Sequence, residues 1–272
     1  MFQFVVNFTQ QSGDLISSTH ADFPLFTAAM LFLMGAIIAS FGGVCIDRLP
    51  HQMGWIENPK ENYTISTPRS SCNNCSRVLS PIDLIPILGW LVSLGRCRTC
   101  KGSVPWVYPL TEATLGLLFA ASSLWFSTMG EVAAFCLLSA CMFVITGLDI
   151  KHHWIPAVIT TPLMWMGLLL SPFETEILLR VLGAMLGGAT VSLVFWYYEK
   201  RSGVDAYSGG DVAFLALMGA WIGVFHIFNY LILAALIFSV HSGWLRWKKG
   251  VVMVPWGPHL SFAALVYIAI FF

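Results

Sequence analysis

The sequence predicts an all-α polytopic membrane protein, with about eight transmembrane helices and one small polar insert between the first two. Three observations carry this reading. First, 57% of the 272 residues are hydrophobic and 10% are charged, whereas soluble domains run at about 25% charged. Second, long uncharged stretches recur along the chain, each near the ~20 residues that span a bilayer. Third, the basic residues fall almost wholly on alternate connections.

The uncharged stretches define the elements in order. Pro24 to Ile46 is the first span. Trp106 to Met129 is the second, interrupted by Glu112. Val132 to Leu148 is the third and Trp154 to Phe173 the fourth. Ile177 to Tyr198 is the fifth and carries Arg180. Val212 to Leu245 contains no Asp, Glu, Lys or Arg. It is too long for one ordinary helix, so it divides near Gly223 to Asn229 into two. Val251 to Phe272 is the eighth. The 11 Trp and 20 Phe suit a lipid-facing surface with interfacial aromatics. The first 22 residues hold no Lys or Arg, so they lack the basic region of a cleaved signal peptide.

Charge placement orients these spans. Arg48, Lys60, Arg69, Arg77, Arg96, Arg98 and Lys101 lie between spans one and two. Lys151, Lys200, Arg201, Arg246, Lys248 and Lys249 fall on the same side by alternation. Of the 14 basic residues, Arg180 alone falls elsewhere. Asp14, Asp22, Glu131, Glu174 and Glu176 mark the opposite side. The positive-inside rule then places the insert in the cytoplasm and both termini outside. The expected organisation is an outward N-terminal segment (1–23), a first transmembrane helix (24–46), a cytoplasmic domain (47–105) and a membrane core (106–272). A formal net charge of +0 gives no pull toward nucleic acid, and the bilayer is the expected surroundings.

Asp149, in Gly147-Leu148-Asp149-Ile150, and Asp211, in Ser208-Gly209-Gly210-Asp211, stand at the edges of apolar runs. An ionisable group at membrane depth costs roughly 2.5–3.5 kcal/mol on insertion scales, which makes it a functional candidate by default. Both map to the cytoplasmic side. Two close carboxylates cannot both ionise, so one keeps its proton. Such a pair can deprotonate a water and polarise an amide carbonyl, with the titration belonging to the pair. The bland alternative is a carboxylate exposed at a membrane edge. Gly209 and Gly210 allow a peptide to approach closely, and a helix beginning at Asp211 puts its dipole's positive end beside that charge. Loop flexibility is the plainer reading of the glycines.

The insert contains Cys72-Asn73-Asn74-Cys75 and Cys97-Arg98-Thr99-Cys100. Two Cys-x-x-Cys pairs separated by 21 residues fit a closed four-sulfur zinc site. The alternative is four unligated thiols. A closed site has no open coordination position, so the metal is expected to fold a core-poor insert. Cys45, Cys136 and Cys141 lie in apolar spans and read as packing residues. Ile85-Pro86-Ile87-Leu88-Gly89-Trp90-Leu91 reads as the insert's small core, or as a face set against the membrane.

Together these motifs resemble the bacterial type IV prepilin peptidases (prepilin leader peptidase/N-methyltransferases, membrane aspartic proteases of the Gly-x-Gly-Asp type). The resemblance runs from about Gly35 to Leu260. Ala39-Ser40-Phe41 through Arg48-Leu49-Pro50 resembles the family's first-span signature, and the cysteine pairs resemble its cytoplasmic tetrad. Tyr108-Pro109-Leu110-Thr111-Glu112, Asp149 with Ile155-Pro156, Ser208-Gly209-Gly210-Asp211 and Pro255-Trp256-Gly257-Pro258 follow in the family's order. Ser208 departs from the usual first Gly, Ala213 from a frequent Lys, and Gly42-Gly43 from a usual Leu-Asn pair. The resemblance implies an inner-membrane aspartic endopeptidase that cleaves type IV prepilins or pseudopilins after a Gly at the leader boundary, using Asp149 and Asp211. It also implies N-methylation of the new amine with S-adenosylmethionine. Gly95 lies in the segment the family associates with that step, and a turn glycine before a zinc knuckle is the plainer reading.

Other polar residues read as structural. Glu112 is expected to pair with Arg48 or another basic group. His152 and His153 read as solvated, His226, His241 and His259 as polar packing, and Asp205 as a loop charge. Two rival classes remain. One is an ion-coupled transporter relaying protons through the aspartates, which would bring matched internal repeats, and none is visible. The other is a zinc-dependent scaffold with inert aspartates.

Overall fold

The computed structural model describes residues 24–203, 208–250 and 254–272. The N-terminal segment 1–23 and Asp205 lie outside the described residues. Among those described, the fold is helical, with two isolated β-bridges and no strand. Five helices are long and apolar enough to cross a membrane, and three further apolar helices are shorter. The chain divides into two compact units, Met1–Val132 and Ala133–Phe272.

The first unit is built on α1 (Pro24–Gln52) and α3 (Val107–Trp125), with the short helix α2 (Leu88–Val92) between them. Lipid tails are as apolar as leucine, so membrane helices associate by close packing of small residues. A Cβ at Gly35 would stand 2.7 Å from the Leu115 carbonyl oxygen, and one at Gly116 would stand 2.9 Å from that of Phe32. The two backbones therefore touch, and Ala36, Ala39, Leu115 and Phe119 are buried around them.

α1 runs past the apolar stretch to Gln52, because helical hydrogen bonding does not stop where hydropathy falls. The extra turns place Arg48, where its Nη1 donates to the carbonyls of Thr64 (3.0 Å) and Pro68 (2.6 Å). The Tyr63 ring lies 5.0 Å from its guanidinium. Glu112 is not the counterion of this arginine. Its Oε2 accepts the Ile87 backbone N–H at 2.7 Å, fixing the start of α2 to α3. The Ile85–Leu91 stretch is no core. Ile85, Leu88, Leu91, Val92 and Leu94 all point outward.

The second unit holds most of α4 (Met129–His152, whose first four residues fall in the first unit), α5 (Ala157–Leu170), α6 (Ile177–Ser202), α7 (Gly209–Ile222), α8 (Val224–Lys249) and α9 (Gly257–Phe271). α7 is apolar around its whole circumference, the signature of an enclosed helix, and Phe214, Leu215, Leu217 and Met218 are fully buried. It presses on α6 so closely that a Cβ at Gly183 or Gly219 would collide with the other residue's carbonyl oxygen. The 212–245 stretch breaks at Gly223, whose φ of +76° closes α7.

Arg180, the exception to the charge rule, is explained by its bonds. It is buried and donates to the carbonyls of Glu174 (2.5 Å), Ser171 (2.8 Å), Leu168 (3.1 Å) and Thr175 (3.4 Å). It collects carbonyls left over at the end of α5 and in the connection to α6, which suits a planar five-donor group.

Candidate active site and metal centre

Asp149 lies in the last turn of α4, which continues past the apolar stretch to His152. His153, with φ +53°, ends the helix, and its N–H returns to the Asp149 carbonyl at 2.9 Å. A helix C-terminus carries partial negative charge, which disfavours a carboxylate. The compensation comes from 108 residues away: the Gly257 N–H donates to Asp149 Oδ2 at 2.8 Å. Gly257 is the first residue of α9, so its N–H has no partner within the helix. A Cβ at 257 would stand 2.7 Å from that carboxylate oxygen, and glycine is what lets the amide reach it.

Asp211 is the third residue of α7. Ser208 caps this helix, its Oγ accepting the Asp211 N–H at 3.4 Å. The departure from the usual glycine thus has a structural use, since serine is a favoured N-cap. Asp211 sits at the positive end of its helix dipole. Gly210 sets its position: a Cβ there would lie 2.9 Å from both Cβ and carbonyl oxygen of Ile155. The start of α7 therefore rests directly on the Ile155–Pro156 linker, six residues beyond Asp149. That contact holds Asp211 within electrostatic reach of Asp149. Gly209 opens the same helical turn.

Two groups outside the predicted site belong to its surroundings. Gly257 gave a sequence signal, in Pro255-Trp256-Gly257-Pro258, but no hint of its partner. His241 and His259 read as scattered packing residues, yet His241 Nδ1 lies 2.7 Å from His259 Nε2. Their spacing of 18 residues crosses a helix end and has no periodic signature.

In the first unit Cys72, Cys75, Cys97 and Cys100 converge, with all four Sγ atoms within 4.8 Å of one another. Cys72 and Cys100 are 3.8 Å apart, Cys75 and Cys97 3.9 Å. A tetrahedron with Zn–S near 2.3 Å has edges of about 3.8 Å, so the cluster fits one such ion, and none of the four forms a disulfide.

The two pairs sit on matching turns. Cys72 N–H bonds Arg77 O and Ser76 N–H bonds Cys72 O, just as Cys97 N–H bonds Gly102 O and Lys101 N–H bonds Cys97 O. Ser76 and Lys101 hold φ of +57° and +59° at the same place in each turn. Among the four crowded thiols the backbone amides of Cys100 and Thr99 lower Cys97 to about 6, while, against the Gly102 amide, burial and the neighbouring Cys75, Cys97 and Cys72 thiols raise Cys100 to about 11, so Cys97 is the first to offer the thiolate that a metal binds.

Asp83 joins the two turns, accepting from Arg98 at 2.9 Å and Arg77 at 3.1 Å. The Ser80 amide and hydroxyl, then Arg98 and Arg77, hold its carboxyl below the ordinary range. Gly95 has φ +66°, and a Cβ there would press on the Trp90 indole at 2.7 Å. Its N–H bonds Trp90 O and its carbonyl accepts Val104 N–H. Local turn geometry therefore accounts for this glycine.

Comparison with known proteins adds a second line of argument. Residues 33–126 match the Bacterial Peptidase A24 N-terminal domain and residues 136–243 match the Type IV leader peptidase family. A prepilin leader peptidase/N-methyltransferase of Pectobacterium carotovorum subsp. carotovorum is 36% identical over 228 residues, 79% of this chain and 81% of its own. A type 4 prepilin-like proteins leader peptide-processing enzyme of Escherichia coli O78:H11 is 31% identical over 90% of this chain and 96% of its own. A prepilin leader peptidase/N-methyltransferase of Pseudomonas aeruginosa is 28% identical over 90% and 91%. No solved structure matches the chain.

Proposed function

Because the chain belongs to the type IV leader peptidase family, we propose that it is a membrane aspartic endopeptidase. Its substrates are type IV prepilins or pseudopilins, cut at the cytoplasmic face of the bacterial inner membrane. Asp149 and Asp211 are the catalytic pair; Gly209 and Gly210, expected as an active-site loop, instead form the first helical turn of α7, where Gly210 seats Asp211 against the Ile155–Pro156 linker. The observation that carries this is the Gly257–Asp149 bond beside the capped Asp211: two helix N-termini from distant parts of the chain serve one carboxylate pair.

The chemistry follows from that arrangement. The Gly257 amide holds Oδ2 of Asp149 and leaves Oδ1 for the reacting water. The ionised member of the pair takes a proton from water as its oxygen attacks the scissile carbonyl carbon. The protonated member donates to the carbonyl oxygen, and a proton then passes to the departing amine.

The finer topology belongs to the same proposal. All eight apolar helices cross the membrane, both termini face outward, and residues 47–105 form the cytoplasmic insert, leaving 106–272 as the protease core. One-sided Lys and Arg placement supports this orientation. It sets the aspartates where a substrate helix enters the bilayer behind its leader. Zinc at Cys72, Cys75, Cys97 and Cys100 stabilises the insert and takes no part in hydrolysis. N-methylation with S-adenosylmethionine is the second activity in two relatives' names. Transfer of a labelled methyl group to the cleaved product tests whether this chain shares it, with Gly95 as the residue to substitute.

The decisive experiment is cleavage of a prepilin by purified protein. Wild type yields a shortened product; Asp149→Asn and Asp211→Asn yield none while remaining folded. Near wild-type cleavage by either variant overturns the proposal, and no cleavage by wild type would favour a transporter or scaffold.

A further inference from the structure

We propose that His241 and His259 form a hydrogen-bonded pair of fixed tautomers that aims the Gly257 amide at Asp149. This rests on the reading of Asp149 as a catalytic carboxylate. His259 lies in the first turn of α9, buried at 6% exposure. Its Nδ1 stands 3.0 Å from the Pro255 carbonyl oxygen. A carbonyl only accepts, so Nδ1 carries the hydrogen, and in a neutral ring Nε2 is then an acceptor. That acceptor faces His241 Nδ1 at 2.7 Å, so His241 Nδ1 is a donor. Both rings carry their hydrogen on Nδ1, and the direction of the chain is His241 to His259 to Pro255.

The geometry links this chain to the aspartate through two consecutive peptide planes. The carbonyl of the Pro255–Trp256 peptide is held by the His259 ring. The carbonyl of the next peptide, Trp256–Gly257, accepts the N–H groups of His259 (3.0 Å) and Leu260 (3.1 Å). The N–H of that same peptide belongs to Gly257 and meets Asp149 at 2.8 Å. With both carbonyls fixed, the direction of the Gly257 N–H is fixed.

α8 supplies the clamp. Phe238 stands edge-on to His259 with centroids 5.2 Å apart, and Trp244 stacks on His241 at 6.3 Å. Phe238, His241 and Trp244 recur every three residues, along one stripe of the helix. His241 and His259 are thus positioning residues, acting on the reaction through Gly257.

Four variants of the full-length protein test this, with prepilin cleavage kinetics in lipid nanodiscs as the readout. His259→Phe keeps an aromatic ring and removes both hydrogen bonds. His241→Phe removes the donor, whereas His241→Asn keeps an amide N–H near the Nδ1 position. Asp149→Asn reports on the underlying reading. A small misaim at a reacting carboxylate can lower rate by up to about 100-fold. We expect His259→Phe and His241→Phe to lower kcat by about 10-fold or more with KM within about twofold, and His241→Asn to recover most of the loss.

Wild-type kcat in both Phe variants, with Asp149→Asn inactive, overturns the inference and leaves the aspartate reading standing. A loss in His241→Asn equal to that in His241→Phe also overturns it, since packing would then be the cause. Cleavage surviving in Asp149→Asn overturns the aspartate reading and the inference with it. Imidazole 15N chemical shifts give a test independent of activity: both rings should be Nδ1–H tautomers, and an Nε2–H tautomer at His259 overturns the proposal.

Discussion

Gly257 and Asp149 are joined by a backbone amide that points at a side-chain carboxylate, 2.8 Å apart across 108 residues of sequence. The same closeness leaves no room for a methyl group. Gly257→Ala would place its Cβ 2.7 Å from Oδ2, so either the carboxylate or α9 must move. We expect at least a 10-fold loss of cleavage and about 1–3 kcal/mol of destabilisation from overpacking. Product formation and thermal unfolding in detergent measure the two effects separately.

The aspartate pair should behave as one unit. Asp149→Asn and Asp211→Asn each remove proton exchange and keep side-chain size. The double variant should be no more impaired than either single, because residues acting together are non-additive. Losses that multiply in single-turnover cleavage would assign the two residues to separate steps. Substituting Glu112, which binds the Ile87 amide in the first unit, should leave the hydrolytic step intact.

One zinc per chain is expected, with four sulfur ligands at about 2.3 Å. Elemental analysis and X-ray absorption measure both. Cys97→Ser should release the metal and expose the insert to protease, while the aspartate-bearing unit keeps its helices. Metal-free protein purified without chelators, or a disulfide within the tetrad, would contradict this.

Arg180→Ala should destabilise the second unit by about 2–5 kcal/mol, since it strands several carbonyls that one buried cation now satisfies. Arg180→Lys should restore little, because an ammonium cannot reproduce the planar fork. Thermal unfolding of the full chain reads this directly. The kcat of the protein that remains folded should be unchanged.

These cases also show what sequence could and could not reveal. The positions of the apolar helices were legible because hydropathy is a local sum, although α4 and α1 run beyond their apolar stretches and α5 stops short of its own. The cysteine tetrad was legible because metal geometry imposes short spacing. The helix start that carries Asp211 was legible from the glycines before it. The Gly257 amide, the His241–His259 pair and the carbonyl cluster around Arg180 were not. Each is a contact between helix ends far apart in the chain, and neither periodicity nor composition encodes which ends will meet. Arg180 did leave a trace, as the one cation on the wrong side of an otherwise consistent charge pattern.

The three short apolar helices carry a mechanical consequence for the membrane itself. α5, α7 and α9 have 14, 14 and 15 residues, so each is about 21–23 Å long. A hydrocarbon core is about 30 Å thick. In the proposed topology these helices bear or flank the aspartate pair, and a bilayer meeting them must thin or admit water at that point, at a fraction of a kcal/mol per Å of mismatch. In that topology, acyl-chain length should change the rate of hydrolysis. Reconstitution in thinner bilayers should favour hydrolysis and thicker ones should suppress it, with the amino-acid sequence untouched.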